Sequence, residues 1–162
     1  DSVLELVFQK PMIFHRLVEL YLKNEEPVSR RAAWVVDLYC ETHPNLIIPY
    51  VPEIIKMLGK FRHDGLKRHS LRMIARSPLP GPDEAGTLIS LCFEWLLSPR
   101  EAAAAKVHCM EILYRYSLEE PDIRQELADS IEWRMNEESP AFRNKGRKIL
   151  KKLASTSPRH LR

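Results

Sequence analysis

The chain has 162 residues, of which 44% are hydrophobic and 29% are charged, and these ordinary values exclude an intrinsically disordered segment. A formal net charge of +3 is too small to indicate strong nucleic-acid binding unless the cations are concentrated on one face. Three isolated cysteines argue against a disulfide framework, and no apolar run is long enough for a membrane span, so we expect a cytoplasmic protein.

Helical periodicity runs along the chain, and prolines separate its segments. Apolar residues recur at i, i+3, i+4 and i+7, whereas no alternating β-branched run indicates a strand. Pro27 and Pro44 fall between segments and Pro121 and Pro140 begin them, since proline can begin a helix but cannot continue one. The predicted helical segments are 11–23, 28–43, 46–61, 66–76, 84–98, 101–117, 121–136 and 140–154.

These segments pair into four units of similar length. A basic residue lies near the start of the second segment of each pair, at Arg31, Arg68, Lys106 and Arg143, with spacings of 37, 38 and 37 residues. A period in the high thirties with two helices per unit is typical of a stacked helix-pair solenoid. We therefore predict an all-α fold in a single domain, 1–162. Its repeats are predicted at about 11–43, 46–76, 84–117 and 121–154, preceded by the remnant of another helix at 1–9 and followed by a polar tail at 155–162.

Each of these basic residues follows an acidic residue by four or five positions, and the acids are Glu26, Asp64, Glu101 and Glu138. One interpretation is that every base pairs with the acid of its own or the adjacent unit and so ties the repeats together. The other interpretation is that Arg31, Arg68 and Lys106 project into a groove as a row that binds anions. The matching spacing of the acids favours the first interpretation.

The units resemble the HEAT-like repeat family. The second helix of that family typically begins with an acidic turn residue, followed by an apolar-Arg step and then small and apolar residues. The run from Glu26 to Trp34, EPVSRRAAW, and the run from Asp64 to Leu71, DGLKRHSL, follow this pattern. The third unit is a looser match, and the fourth is looser still, with Gly146 where a larger residue is expected.

The resemblance implies a right-handed α-α superhelix of about four HEAT-like helix pairs, whose second helices line a concave face. It implies a non-catalytic scaffold or adaptor that binds a protein partner there. Tryptophan and arginine are where interface energy tends to concentrate. The residues expected to bind on this face are Arg30, Arg31, Trp34, Asp37, Arg68, Arg72 and Lys106.

Trp34 and Asp37 also suggest an alternative function. They lie one helical turn apart beside two arginines, and the helical-repeat alkylpurine DNA glycosylases, a HEAT-like family, use an aspartate and tryptophans in a basic groove. The alternative is therefore a nucleic-acid-binding protein related to those enzymes. The simpler interpretation is a packed tryptophan beside an aspartate on the helix surface.

No catalytic or cofactor motif accompanies these residues. The six histidines form no H-x-x-x-H pair and join no cysteine at zinc-ligand spacing, so no metal is predicted. The glycine-rich phosphate-binding loops and the nucleophile elbow are absent. The sequence therefore predicts no cofactor and no enzymatic activity.

The last two predicted helices carry opposite charge. Residues 117–138 hold eight acids and two arginines, whereas 139–162 hold eight lysines or arginines and no acid. We expect mutual attraction within the final unit, with a basic arm for nucleic acid or a membrane surface as the alternative. The sequence leaves the identity of the partner and the oligomeric state open.

Overall fold

The structure is a computed structural model that describes residues 11–156, and within that range the chain forms helices and no strand. The predicted all-α class is confirmed. The predicted helix remnant at 1–9 lies outside the described residues, as do residues 157–162 of the predicted tail. The α-helices are α1 (Pro11–Leu22), α2 (Val28–Cys40), α3 (Val51–Leu58), α4 (Asp64–Arg76), α5 (Pro82–Leu97), α6 (Ala103–Ser117), α7 (Pro121–Arg134) and α8 (Pro140–Ser155).

Prolines determine where several helices begin. Pro82, Pro121 and Pro140 occupy the first position of α5, α7 and α8, where a missing N–H costs no intrahelical bond. The segment predicted as a helix from 46 begins instead as a 3-10 helix, Pro44–Tyr50, and becomes α-helical only at Val51. Pro49 lies inside that 3-10 helix and cannot donate to a preceding carbonyl, which delays the α-helical turn.

The chain divides into two compact units, with the boundary between Pro80 and Gly81. Unit 1 contains α1 to α4, and unit 2 contains α5 to α8. In unit 1 the first helices α1 and α3 contact each other, and so do the second helices α2 and α4. Unit 2 repeats this arrangement, with α5 against α7 and α6 against α8. Each unit is thus two stacked helix pairs, while the single domain and the right-handed superhelix stay predictions.

Apolar stripes of the helices form the core of each unit. Val36, Ile54 and Leu66 are fully buried in unit 1, as are Met110 and Ile131 in unit 2. Burying one such side chain is worth about 1.5–3 kcal/mol. Most of the stability of the stack therefore comes from these stripes, and the polar contacts between helices decide how the stripes are aligned.

Gly146 allows α8 to approach α7 closely. A Cβ atom at this position would lie 2.9 Å from Ile131 Cγ2 and 3.0 Å from Met135 Cε. Ile131 is buried and branched at Cβ, so its methyl group has little room to move. The larger residue expected in the sequence pattern would therefore push the two helices apart, which explains the departure from that pattern.

We predict that Gly146→Ala lowers the free energy of unfolding by about 1–3 kcal/mol, because the new methyl group overpacks the contact with α7. Gly86→Ala is the matched control, since Gly86 lies in α5 with nothing within 4 Å of an added Cβ. That variant should gain up to about 1 kcal/mol from helix propensity. Urea denaturation of both variants checks the pair, and an equal gain in both would contradict the packing explanation.

Candidate functional site

A buried carboxylate joins the second helices of unit 1. Asp37 of α2 is 1% exposed and accepts a hydrogen bond from Nδ1 of His69 on α4 at 2.7 Å. It also forms ion pairs with Arg76 and, at 3.4 Å, with Arg72. Because an ionised carboxylate only accepts hydrogen bonds, His69 must carry its proton on Nδ1. The predictions that Asp37 lies on the helix surface or offers itself to a partner are therefore wrong.

A second carboxylate, at Glu41, lies one turn further along the chain, at the C-cap of α2. Arg72 Nη2 donates to Glu41 Oε1 at 2.7 Å, and Arg76 Nη1 lies 3.9 Å from the same oxygen. The two arginines thus lie between a buried acid and a half-exposed one. Arg72 still has 37% of its side chain in solvent, and these contacts hold its guanidinium in a fixed position.

Helix periodicity brings this cluster together. Asp37 of α2 and Glu41 at its C-cap are four residues apart in helical conformation. His69, Arg72 and Arg76 fall at i, i+3 and i+7 on α4, so each set lies on one face. The sequence interpretation missed His69, Arg76 and Glu41. The signal that could have identified them was this pair of complementary spacings one repeat apart.

The surroundings of Asp37 lower its pKa. Burial by itself would raise the pKa, but the hydrogen bond from His69 and the charges of Arg76 and Arg72 more than offset that effect. Asp37 therefore remains ionised at neutral pH, and its charge interacts with side chains of α4 in the same unit.

Trp34 lies on the outward face of α2 and is 55% exposed. The interpretation of Trp34 as a packed tryptophan is therefore wrong. Arg30 and Arg31 are exposed at i−4 and i−3 on the same face, and Arg68 is exposed on α4. Arg72 contacts Asp37 and Glu41, three and seven positions beyond Trp34. We refer to Arg30, Arg31, Trp34, Arg68 and Arg72 as the Trp34 surface.

The arginines of this surface differ in how they are held. Arg30 Nε lies 3.3 Å from a carboxylate oxygen of Glu26, whereas Arg31 forms no ion pair with any residue in 11–156. Within residues 11–156, Arg68 pairs with no acid, and its Nη2 makes a long contact, 3.5 Å, to Nε2 of His69. Arg31 and Arg68 thus carry the least compensated charges of the Trp34 surface.

Lys106 belongs to the interior of unit 2. It is 1% exposed, and its Nζ donates to both carboxylate oxygens of Glu138 at 2.9 and 2.6 Å. Arg134 Nη2 donates to the same carboxylate at 3.1 Å. The prediction that Lys106 binds a partner is therefore wrong, because α6 is covered by its neighbours α5, α7 and α8. Its partner is the acid of the following repeat, as the structural interpretation of the basic residues expected.

The other predicted acid–base contacts differ from one repeat to the next. Glu26 pairs with Arg30 and not with Arg31. Arg143 donates to the main-chain carbonyl of Glu138 and not to its carboxylate. The recurring basic residues therefore share a position in the sequence pattern but not a common interaction.

The attraction expected between the acidic segment 117–138 and the basic segment 139–162 stays a prediction, because only part of these residues is described. In the part of the chain that the structure describes, no carboxylate of α7 pairs with a cation of α8. Lys145 of α8 pairs instead with Glu111 of α6 at 2.7 Å. Within residues 11–156, the cations on the opposite face of α8 pair with no acid.

No part of the described chain is arranged as a metal site, since residues 11–156 hold no group of three His, Cys, Asp or Glu side chains close enough to share an ion. Within the same residues, no helix is both long and apolar enough to cross a membrane. Cys40, Cys92 and Cys109 are free and buried. Burial raises the pKa of the Cys40 thiol to about 12, which leaves it unreactive at neutral pH.

We predict that Asp37→Asn lowers the free energy of unfolding at pH 7 by about 3–5 kcal/mol, because two arginines lose their buried counter-charge. The pKa of Asp37 is lower in the folded state than in the unfolded state. The stability that the ionised carboxylate contributes is therefore fully present above the unfolded pKa of about 3.9 and is lost as pH falls through the folded pKa. The difference from wild type should therefore shrink below about pH 4. Urea denaturation across pH 2–7 measures this difference.

Glu53→Gln is the control for that experiment, because Glu53 is exposed and makes only a surface pair with Lys56. It should change stability by less than about 1 kcal/mol at every pH. A constant difference between Asp37→Asn and wild type down to pH 2 would contradict a stabilising role for the ionised carboxylate.

We predict that substitutions of two of the recurring basic residues differ strongly in their effect on stability. Lys106→Met should lower the free energy of unfolding by about 3 kcal/mol, because Glu138, 8% exposed, loses one of its two cations. Arg31→Met should change stability by no more than about 0.5 kcal/mol, because Arg31 is exposed and forms no ion pair within the described range. Thermal and urea unfolding check the pair, and equal effects would show that burial does not distinguish the two positions.

Comparison with known proteins identifies the family. The family model of the HEAT repeat domain matches residues 1–153. Neither the curated proteins nor the solved structures include a significant match to the chain. The stacked helix pairs of both units agree with the family match. The match covers nearly the whole sequence, and the chain therefore belongs to the HEAT repeat domain family.

Proposed function

We propose that this protein is a non-catalytic scaffold or adaptor that binds a protein partner through the Trp34 surface of unit 1. The family supplies the architecture, since helix-pair repeats form extended surfaces for partners. The observation that carries the proposal is the exposure of Trp34 beside arginines on a helix whose other bulky apolar side chains largely pack inward.

An exposed tryptophan is well suited to anchor an interface. Its indole ring offers a large apolar area to a partner, and its N–H can donate one hydrogen bond. Tryptophan and arginine dominate the residues whose truncation weakens protein complexes most. Arg30 and Arg31 place two arginines beside Trp34 on the same helix face.

Part of the Trp34 surface is already ordered. Asp37 and Glu41 hold the guanidinium of Arg72. A partner that contacts Arg72 therefore avoids part of the entropy cost of immobilising a long side chain on binding. Asp37 thus positions a residue of the surface from the interior. The proposed contact residues are the five of the Trp34 surface, without Asp37 and Lys106.

The alternative of a glycosylase-like activity finds less support in this geometry. Asp37 is buried and both of its carboxylate oxygens are engaged, by His69 and Arg72 on one and by Arg76 on the other. Trp34 is the one tryptophan among residues 1–80. A free carboxylate beside several aromatic side chains, as that chemistry would need, is not formed by the described residues of unit 1. The free, buried cysteines support a reducing compartment such as the cytoplasm.

We predict that Trp34→Ala abolishes capture of the partner. Tagged wild type, Trp34→Ala and Trp133→Ala would be used to enrich proteins from lysate of the source organism, with quantification by mass spectrometry. Trp133 is the matched control because it is also exposed but lies on α7 in unit 2. Proteins enriched by wild type and Trp133→Ala should be lost with Trp34→Ala.

The affinity of a partner identified in this way should fall at least about 30-fold on Trp34→Ala, the effect of losing one interface hot spot. Circular dichroism should show all three proteins folded, since neither tryptophan is in the core. A set of enriched proteins that does not change with Trp34, or that depends on Trp133 instead, would overturn the proposal.

A further inference from the structure

The outward face of α8 carries cations with no acidic partner. Arg147, Lys148, Lys151 and Lys152 are all exposed, and none forms an ion pair with an acid in residues 11–156. Lys152 Nζ has one favourable contact, 5.2 Å from the centre of the Tyr114 ring. The helix itself contains no aspartate or glutamate.

This arrangement works against the stability of the free helix. Arg147 and Lys151 form one like-charge pair at i, i+4, and Lys148 and Lys152 form another, and such pairs repel across one helical turn. The cations elsewhere on α8 are engaged, because Lys145 pairs with Glu111 and Arg143 donates to the carbonyl of Glu138. Repulsion is thus confined to one face, where an anionic partner would relieve it.

The chemistry of this face favours a partner recognised by charge alone. Of the large apolar side chains of α8, Phe142, Ile149 and Leu153 are buried. Leu150 is only partly exposed, so the helix offers little apolar area to anchor a protein partner or to insert into a membrane. The remaining outward positions include the small residues Ala141 and Asn144. Lysine, which supplies three of the four cations, is depleted from protein–protein interfaces.

Duplex nucleic acid has the charge density that such a face requires. It carries one negative charge per ~1.7 Å of helix axis, and cations that neutralise its phosphates release condensed counterions. Lysine acts on a phosphate as a compact point charge without the directional demands of a bidentate pair. Each i, i+4 pair on α8 spans about 6 Å along the helix, so the four cations form a short, dense row.

We propose that the outward face of α8 binds the phosphate backbone of duplex nucleic acid without sequence specificity. The contact is made by Arg147, Lys148, Lys151 and Lys152, and it is independent of the protein partner proposed for the Trp34 surface. It gives the scaffold a second, weaker binding activity that depends strongly on salt concentration.

The test is binding of the full chain to a fluorescein-labelled, mixed-sequence DNA duplex, followed by anisotropy between about 50 and 200 mM salt. Each phosphate contact contributes about −0.9 to the slope of log K against log salt. Lys148→Gln with Lys152→Gln removes two contacts, so the slope should become less steep by about 1.8 and binding at 0.1 M salt should weaken by between about 10- and 100-fold. Arg147→Gln with Lys151→Gln should have the same effect.

Lys56→Gln with Lys60→Gln is the control for net charge, and it also removes the exposed pair of Lys56 with Glu53. These lysines are also exposed and four residues apart, but they lie in unit 1, and the double variant removes the same net charge. It should leave both the slope and the affinity unchanged. A second duplex of different sequence should bind wild type equally well.

Three results would overturn the proposal. The first is no binding of the duplex by wild type at 50 mM salt, and the second is an equal loss in the control variant, which would indicate only overall charge. The third is binding of poly-glutamate, or of vesicles that contain an anionic lipid, more tightly than the duplex and with the same dependence on Lys148 and Lys152. That last result would assign the face to an acidic protein or to a membrane surface.

Discussion

Burial of a charge between the second helices is the constraint on which both units depend. In unit 1 the charge is Asp37, and His69, Arg72 and Arg76 approach it from the neighbouring repeat. In unit 2 it is Lys106, enclosed by Glu138 of the next repeat. A buried ion is tolerated only when it is paired and hydrogen-bonded, and removing one partner is costly. A slip of one helical turn between these helices would leave an ion without its partner, so each cluster favours one register over others that apolar stripes alone would permit.

The same constraint decides which charges remain for partners. The charge of Lys106 is neutralised by Glu138 inside unit 2. The charges of Arg72 and Arg76 are largely offset by Asp37 and Glu41. Among the described residues, the exposed cations that pair with no acid include Arg31 and Arg68 in unit 1 and the outward cations of α8 in unit 2. The net charge of +3 conceals this division, because it sums interior and exterior charges without regard to where they lie.

Most of the fold could be predicted from the sequence, because periodicity and prolines act locally. Apolar spacing identified the helical segments, and the recurring basic residue identified the HEAT-like pattern that the family match confirms. The interior of the site could not be predicted in this way. Periodicity treats a charged residue as outward-facing and favours a packed position for a tryptophan, so it misplaces Asp37 and Trp34. The recurring acid–base spacing, in contrast, already offers Glu138 as a partner of Lys106. Placing Asp37 in the interior requires its pairing with His69, 32 residues away in the next repeat, the same separation as that of Lys106 and Glu138.

The two proposed surfaces differ in the kind of recognition that their side chains allow. The Trp34 surface combines an indole ring with guanidinium groups, and both impose shape and direction on a partner. The α8 face offers mainly flexible ammonium groups and no exposed aromatic ring, so it responds to charge density and hardly to shape. Salt screens the second kind of contact far more than the first, because apolar burial around a tryptophan does not depend on ionic strength in the same way. The two proposals thus assign shape-dependent protein recognition to unit 1 and salt-dependent binding of nucleic acid to unit 2.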